Sequence, residues 1–275
     1  MSTVTLKKTP AATPQDLSKL PIKDFYVIAR EPGAEHPSLP TWATHQENPA
    51  SLSEHIPSNI ERREIPEVPG AFQLLNIFSA EECQRLIEIT EAVGYLPDAA
   101  VSLPRDVRHN DNLTWVVDES TERLVWQRVQ NLMQDPESYF GGRKPVGLNQ
   151  RFRFYRYGTG DYFKFHTDGA WPGSRIIDGQ LVANGYPDCF SEMTFLVLLS
   201  EDFDGGATRF RVNGDDPLHQ PTGSSMKDVD VRTPAGSVLC FPHGMHPLHR
   251  VHSSTPIERG VKYIIRTDIL FHQDG

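Results

Sequence analysis

The sequence has little cysteine, no long apolar run and no excess of positive charge. Its three cysteines, Cys83, Cys189 and Cys240, include no C-x-x-C pair, so we expect buried thiols in a reducing, cytoplasmic setting. No apolar stretch has the length that a bilayer-spanning helix needs, and the amino-terminal residues lack the apolar core of a secretory signal. The net charge of -9 disfavours nucleic acid and anionic membranes as partners.

The length and composition favour one folded domain with an extension. The chain has 275 residues, of which 38% are hydrophobic, enough for one sizeable core. Residues 1–67 are rich in proline and polar residues and predict a tail and surface arm that are partly disordered. Residues 68–275 predict a single domain, in which 68–148 give helical support and 149–272 form a mostly β core. The sequence carries no signal of oligomeric state.

Two stretches predict helices ahead of the β-rich part. Ser79 precedes an amphipathic run, and Glu82 lies three residues after Ser79, as in a capping box. Gly94 is a suitable stop for this helix. A second amphipathic stretch lies within 113–133, and its helix is expected to begin at Ser120. Helices followed by strands favour an α+β arrangement in which the helices cover one face of a sheet.

The most informative stretch is 151–168, which reads RFRFYRYGTGDYFKFHTD. Aromatic and basic residues alternate at its start, which is typical of a strand, and two glycines then break the pattern. A second short strand leads into His166 and Asp168, which can point to the same side because they are two residues apart. Two histidines and one carboxylate form the facial triad of non-haem Fe(II) oxygenases. The pair therefore predicts a metal site that needs one more histidine.

The third ligand is expected from the stretch 236–271, which reads GSVLCFPHGMHPLHRVHSSTPIERGVKYIIRTDILF. Four histidines in it compete for this position: His243, His246, His249 and His252. Histidines three residues apart alternate between the faces of an extended strand, so the four cannot all converge. A basic strand follows, with Lys262 and Arg266 on one face, and a buried cation there would suit a dicarboxylate ligand.

These motifs resemble the 2-oxoglutarate and Fe(II)-dependent dioxygenases, in their prolyl-4-hydroxylase-like branch. The family pattern is H-x-D, then a distal histidine, then a lysine or arginine about ten residues later. His252 followed by Lys262 has this spacing. The stretch GSVLCFPH resembles the strand that precedes the distal histidine. Residues 195–210, FLVLLSEDFDGGATRF, resemble the family's G-G-x-T-x-F element. The resemblance covers 68–271.

The resemblance implies a double-stranded β-helix (jelly-roll) core and an enzyme that hydroxylates an unactivated C–H bond. It implies that His166, Asp168 and His252 are the catalytic residues and bind Fe(II). The cosubstrates would be 2-oxoglutarate and O2, the products succinate and CO2, and ascorbate an optional reductant. The substrate would be a small molecule or a peptide. The competing interpretation is a jelly-roll binding protein, either without catalytic activity or holding Zn or Mn as cupin-like proteins do.

For the cosubstrate, the resemblance implies that Lys262 pairs with the C5 carboxylate of 2-oxoglutarate. Arg266 shares its face and is a candidate for the other carboxylate, with a solvated arginine as the alternative. Tyr157 is a candidate for a position near 2-oxoglutarate, with cross-strand packing as the alternative. Arg153 and Tyr155 are weaker candidates on the same face.

The other assignments keep their alternatives. His249 is the alternative third ligand, and His243 and His246 are expected to be loop histidines. Five residues are candidates for substrate contact, although packing is the favoured interpretation of each: Arg108, Asn110, Asn112, Trp115 and Trp171.

Overall fold

The computed structural model describes residues 20–99 and 103–273. These residues contain two α-helices, α1 (Ala80–Val93) and α2 (Glu119–Val129), and short 3-10 helices at Pro21–Asp24, Gln130–Leu132 and Gly223–Ser225. The described strands are β1 (Phe25–Glu31), β2 (Leu39–Thr44), β3 (Glu61–Glu64), β4 (Phe72–Leu75), β5 (Arg108–His109), β6 (Asp111–Val116), β7 (Pro145–Leu148), β8 (Arg151–Tyr157), β9 (Tyr162–His166), β10 (Arg175–Ile177), β11 (Gln180–Val182), β12 (Cys189–Leu198), β13 (Phe203–Gly205), β14 (Thr208–Asn213), β15 (Met226–Val231), β16 (Val238–Pro242), β17 (His252–Ser254), β18 (Ile257–Gly260) and β19 (Lys262–His272). The predicted tail, as far as residue 19, lies outside the described residues.

Eight strands form two antiparallel sheets with jelly-roll connectivity. The order is β8-β19-β12-β16 within the large sheet and β15-β14-β17-β9 within the small sheet. Along the chain, β8, β12, β16 and β19 of the large sheet alternate with β9, β14, β15 and β17 of the small sheet, and β10–β11 and β13–β18 form separate two-stranded pairs. The chain thus winds back and forth between two sheets, as a jelly roll requires. The predicted fold class is confirmed.

The large sheet separates two hydrophobic cores. Alternate residues of β8 point to opposite sides: Phe154 joins an outer core with Ile89 of α1 and Val125 of α2. Tyr157 joins an inner core between the sheets, where it packs with residues of the small sheet such as Phe210. The helices therefore cover the outer face of the large sheet, and the inner face is left to form a site.

Helix α1 has the predicted capping box. The Ser79 hydroxyl accepts a hydrogen bond from the Glu82 backbone N–H, and the Glu82 carboxylate accepts one from the Ser79 backbone N–H. Helix α2 begins one residue earlier than predicted, because the Asp118 side chain accepts from Thr121 N–H and so caps it. Among the described residues, no helix combines the length and the apolar character needed to cross a membrane.

Within the stretch expected to form a tail and a surface arm that are partly disordered, residues 25–64 include three strands. Strands β1 and β2 form a hairpin that adds to the large sheet through parallel pairing of β2 with β6, and β3 extends the opposite edge by pairing with β4. Burial alternates along β2. The strand has only six residues and includes Pro40, so the alternation is too brief to be noticed in the sequence. Residues 169–190 include the β10–β11 hairpin, and residues 213–230 include most of β15.

Candidate active site

The three predicted ligands meet at the edge of the space between the sheets. His166 ends β9 and His252 begins β17, and the two are direct partners in the pairing of these strands. Asp168 lies two residues beyond His166, with its carboxylate oxygens 3.8 Å from His166 Nε2 and 3.7 Å from His252 Nε2. One ligand atom from each residue lies within 4.8 Å of the others. A single ion could contact all three.

Backbone hydrogen bonds orient both imidazoles. His166 Nδ1 lies 2.8 Å from the carbonyl oxygen of Lys164, and His252 Nδ1 lies 3.1 Å from that of Arg250. Because a carbonyl only accepts, each Nδ1 carries the proton and each Nε2 keeps its lone pair for a metal. Burial and the neighbouring His252 lower the pKa of His166 to about 3, and burial also lowers the pKa of His252. Both rings are thus neutral, as metal ligands must be.

The carboxylate of Asp168 is held by two further groups. Thr194 Oγ1 donates to Asp168 Oδ2 at 2.7 Å, and Arg266 Nε lies 3.4 Å from the same oxygen. Burial alone would raise the pKa of Asp168, but the positive charge of Arg266 opposes it, and this pKa lies well below its usual range. Arg266 also lies 3.0 Å from a carboxylate oxygen of buried Asp268, without hydrogen-bond geometry. Asp168 is therefore fixed as an anion.

Behind Asp168 a chain of hydrogen bonds leads into the large sheet. The Thr194 hydroxyl donates to Asp168, so His243 Nδ1–H is the donor in its 2.8 Å contact with that hydroxyl. His243 Nε2 then accepts from Ser191 Oγ at 3.0 Å. His243 lies in the loop after β16, as predicted, but it is buried. It contacts the Thr194 hydroxyl and so supports Asp168 indirectly.

The donor set fits a divalent first-row metal. Two neutral imidazole nitrogens and one carboxylate oxygen on one side of an ion leave its other positions to small ligands, which is the arrangement of non-haem Fe(II) sites. A cavity of about 150 Å³ adjoins the three residues and could hold such ligands. A larger cavity of about 250 Å³ lies on the outer side of the large sheet, and the described residues that line it include no cluster of potential metal ligands.

Lys262 lies in the same cavity as the triad. It is 1% exposed, and Nζ donates to the Gly206 carbonyl at 2.7 Å and to Ser254 Oγ at 3.1 Å. Burial, with a smaller effect of Arg232, lowers its pKa to about 7, and no acidic group among the described residues counteracts this. Tyr157 is the cross-strand partner of Lys262, and its ring centroid lies 5.4 Å from Nζ. Lys262 is thus a buried cation without a carboxylate.

The remaining histidines do not reach the triad. His249 is half-buried, and its Nδ1 lies 2.8 Å from the His246 carbonyl. His246 is buried, and its Nε2 lies 2.9 Å from the Tyr139 carbonyl. Neither belongs to the described cluster of potential metal ligands.

The candidates for substrate contact separate into three groups. Arg108 and Trp171 line the cavity; Arg108 is buried near the rings of Tyr155 and Phe163, whereas Trp171 is 46% exposed. Asn110 and Asn112 are buried nearby in sequence. Trp115 belongs to the outer core and packs there, away from the cavity.

Sequence reasoning did not identify two residues that contact the site. Ser254 holds the ammonium group of Lys262, and its position two residues after His252 is a signal that could have been read. Thr194 holds Asp168, but it lies on a strand that is distant in sequence. Only the register of β12 against its neighbours brings it there.

Comparison with known proteins finds similar structures. No protein-family model matches the sequence, and no curated protein matches it significantly. A viral collagen prolyl hydroxylase from Paramecium bursaria Chlorella virus-1 is 17% identical, with a TM-score of 0.44 over 75% of this chain and 99% of that one. A Pseudomonas putida prolyl-4-hydroxylase is 17% identical, with a TM-score of 0.45 over 75% and 94%. A Trichoplax adhaerens prolyl hydroxylase is 15% identical, with a TM-score of 0.48 over 73% and 83%.

The descriptions of these structures name the class of protein that the sequence motifs resemble.

Proposed function

We propose that this protein is an Fe(II)- and 2-oxoglutarate-dependent dioxygenase that hydroxylates an unactivated C–H bond. The observation that carries the proposal is the presence, in one cavity, of a two-histidine, one-carboxylate cluster and a buried lysine without a carboxylate partner. The first suits a metal and the second suits a dicarboxylate that reaches the metal.

His166, Asp168 and His252 would hold the iron. Bound Fe(II) would couple the decarboxylation of 2-oxoglutarate by O2, which yields succinate and CO2, to insertion of one oxygen atom into a C–H bond. The protein's part is to present two neutral Nε2 atoms and one anionic oxygen at fixed positions. The carbonyl contacts of the imidazoles and the Thr194 contact of Asp168 perform this task.

Lys262 would bind the C5 carboxylate of 2-oxoglutarate. A carboxylate taken out of water is costly unless it is paired and hydrogen-bonded, and the ammonium group offers a charged donor that Ser254 and Gly206 already orient. Arg266 would act at the metal end of the cavity, which it lines and where it stabilises the Asp168 anion. There it would lie close to the C1 carboxylate of 2-oxoglutarate. Tyr157 would border the cosubstrate next to Lys262.

Apolar side chains would keep water from the reacting atoms. Phe163, Leu196, Phe241 and Ile264 line the cavity between the polar groups and are at most 9% exposed. A cavity of this kind strengthens the electrostatic interactions within it and excludes side reactions with water.

Succinate formation tests the proposal. Purified protein is supplied with Fe(II), 2-oxoglutarate, ascorbate and O2, and succinate is measured with and without a metabolite and peptide panel. We expect succinate formation that requires Fe(II), O2 and 2-oxoglutarate. A substrate in the panel should increase it, and Asp168→Ala should abolish it. Tight Zn or Mn binding, with no succinate after exchange to Fe(II), would instead support the cupin-like alternative.

A further inference from the structure

Three buried polar side chains at β6 and β8, or just before β6, have polar atoms without hydrogen-bond partners in the described part of the chain. Asn110, Asn112 and Arg153 are 1%, 6% and 8% exposed. No hydrogen-bond partner exists for Asn110 Nδ2 and Oδ1, for Asn112 Oδ1, or for Arg153 Nε and Nη1 among the described residues. We refer to these three residues as the polar cluster. It includes the guanidinium group of Arg153, in which two nitrogens donate no hydrogen bond to a described residue.

The polar cluster lies next to the cavity of the candidate active site. In the pairing of β6 with β8, Asn112 is the partner of Tyr155, and in the pairing of β8 with β19, Arg153 is the partner of Arg266. Partners across neighbouring strands project to the same face of a sheet. Tyr155 and Arg266 both line the cavity, so the polar cluster borders it on the side of β6 and β8.

Arg153 stands in an unfavourable environment. Burial, and then the like charge of Arg266, lower its pKa, whereas Asp268 acts in the opposite direction. Asp268 is already shared with Arg266, at 3.0 Å. A buried cation with unused donors costs free energy unless an anion or acceptor joins it. Such a site is expected to be completed by a ligand.

The charges around the cavity leave room for one more anion. Four buried cations, Lys262, Arg266, Arg153 and Arg108, lie at or beside the cavity, together with the carboxylates of Asp168 and Asp268. A divalent metal adds two positive charges, and 2-oxoglutarate brings two negative ones. The filled site would therefore remain positive, and Arg153 is a buried cation that neither the metal ligands nor the proposed cosubstrate anchor uses.

We propose that the substrate is a free carboxylic acid whose carboxylate binds Arg153, with the carboxamides of Asn110 and Asn112 as further hydrogen-bonding groups. This inference rests on the proposed function and names the substrate class of that site. The planar guanidinium fork matches a carboxylate in two parallel hydrogen bonds. An uncharged amide, such as a residue inside a peptide, would leave the charge of Arg153 unpaired.

Matched acids and amides test the proposal. The probes are free amino acids, short alkanoic acids and 2-hydroxy acids, each paired with its carboxamide, and they are titrated into the anaerobic Fe(II) and 2-oxoglutarate complex. Binding is followed by thermal shift and by perturbation of the visible absorption of the complex. At least one acid is expected to bind on the order of 30-fold or more tightly than its amide, since a buried charge pair is lost in the amide.

Substitutions locate the preference. Arg153→Met is expected to abolish the difference between acid and amide, while leaving formation of the Fe(II) and 2-oxoglutarate complex intact. Arg153→Lys, which keeps the charge but not the fork, should reduce the difference by a smaller factor and serves as the test if Arg153→Met does not fold. Arg156→Met is the matched control, because Arg156 lies on the same strand but forms ion pairs with Glu91 and Asp111 near the surface.

Three outcomes would overturn the inference while the proposed function stands. They are a normal Fe(II) and 2-oxoglutarate complex to which no acid of the panel binds, equal binding of acid and amide, and an acid preference that survives in Arg153→Met. If the complex itself does not form, the proposed function fails, and the inference fails with it.

Discussion

His166 and His252 stand directly opposite each other on neighbouring strands, with ring centroids 4.3 Å apart. The register of one pair of short strands thus sets two of the three ligands. A slip by one residue would turn either imidazole to the other face of the sheet. The metal site therefore depends on the pairing of β9 with β17 as much as on the identity of its residues.

Removal of any ligand should abolish iron binding. We expect His166→Ala, Asp168→Ala and His252→Ala to lose bound Fe(II) and turnover without loss of the fold. His249→Ala is the control and should bind iron as the parent does, because its ring contacts a backbone carbonyl outside the cluster. Iron content after gel filtration, with circular dichroism for the fold, decides this. Loss in His249→Ala with retention in His252→Ala would move the third ligand.

The hydroxyl of Thr194 should matter for metal affinity. Thr194→Val keeps the shape of the side chain but removes the donor to Asp168 Oδ2. Loss of such a supporting contact typically weakens metal binding about 10- to 100-fold. Competition with a chromophoric chelator measures the Fe(II) affinity, with Thr44→Val on β2 as the control. Parental affinity in Thr194→Val would show that Arg266 alone is enough to orient the carboxylate.

Lys262 should set the affinity for 2-oxoglutarate. Lys262→Met is expected to leave iron binding unchanged and to weaken 2-oxoglutarate by about two orders of magnitude or more, as loss of one partner of a buried charge pair does. Arg266→Ala should weaken it less. Anaerobic calorimetry on the iron-loaded variants gives both affinities. A small loss in Lys262→Met beside a large loss in Arg266→Ala would reverse the assignment.

Binding of 2-oxoglutarate should weaken above neutral pH. Burial lowers the pKa of Lys262 to about 7 in the empty cavity, and only the charged ammonium pairs with a carboxylate. As pH rises above 7, the charged fraction falls about tenfold per pH unit, and the apparent affinity should fall with it. Lys262→Arg stays charged and should show no such decline. Affinities measured from pH 6 to 9 that are flat for the parent would contradict this role.

Stability should depend on a buried ion pair between the helices. Arg128, with a side chain 1% exposed, forms two hydrogen bonds with Glu82 at 2.7 and 2.9 Å and donates to two backbone carbonyls. Arg128→Met leaves the Glu82 carboxylate buried without its cationic partner, which should cost about 3–5 kcal/mol in the free energy of unfolding. Urea denaturation measures it. Arg123→Met, on the exposed side of α2, should change it little; an equal loss there would implicate the helix itself.

The parts of the site that are close together in the sequence could be predicted from it. His166 and Asp168 are two residues apart, and this spacing alone places them on one face. The choice of His252 used the family spacing to Lys262, and the structure brings these residues into one cavity. The capping box at Ser79 was equally readable, because both of its hydrogen bonds span three residues.

The parts that depend on strand register could not be predicted. Thr194 and His243 reach Asp168 only because β12 and β16 pair in one particular alignment. Strands β2 and β3 were not predicted, for a different reason. They are short and carry no clear hydrophobic pattern of their own. Pairing with neighbouring strands of the large sheet is what stabilises them.

The most direct test of the central claim is anaerobic addition of Fe(II) and 2-oxoglutarate to the purified protein, followed by visible absorption. If His166, Asp168 and His252 hold iron beside the 2-oxoglutarate site, a weak charge-transfer band appears in the parent and is absent from Asp168→Ala. A parent protein that binds iron but shows no band, or an Asp168→Ala variant with the parental band, would contradict the assignment.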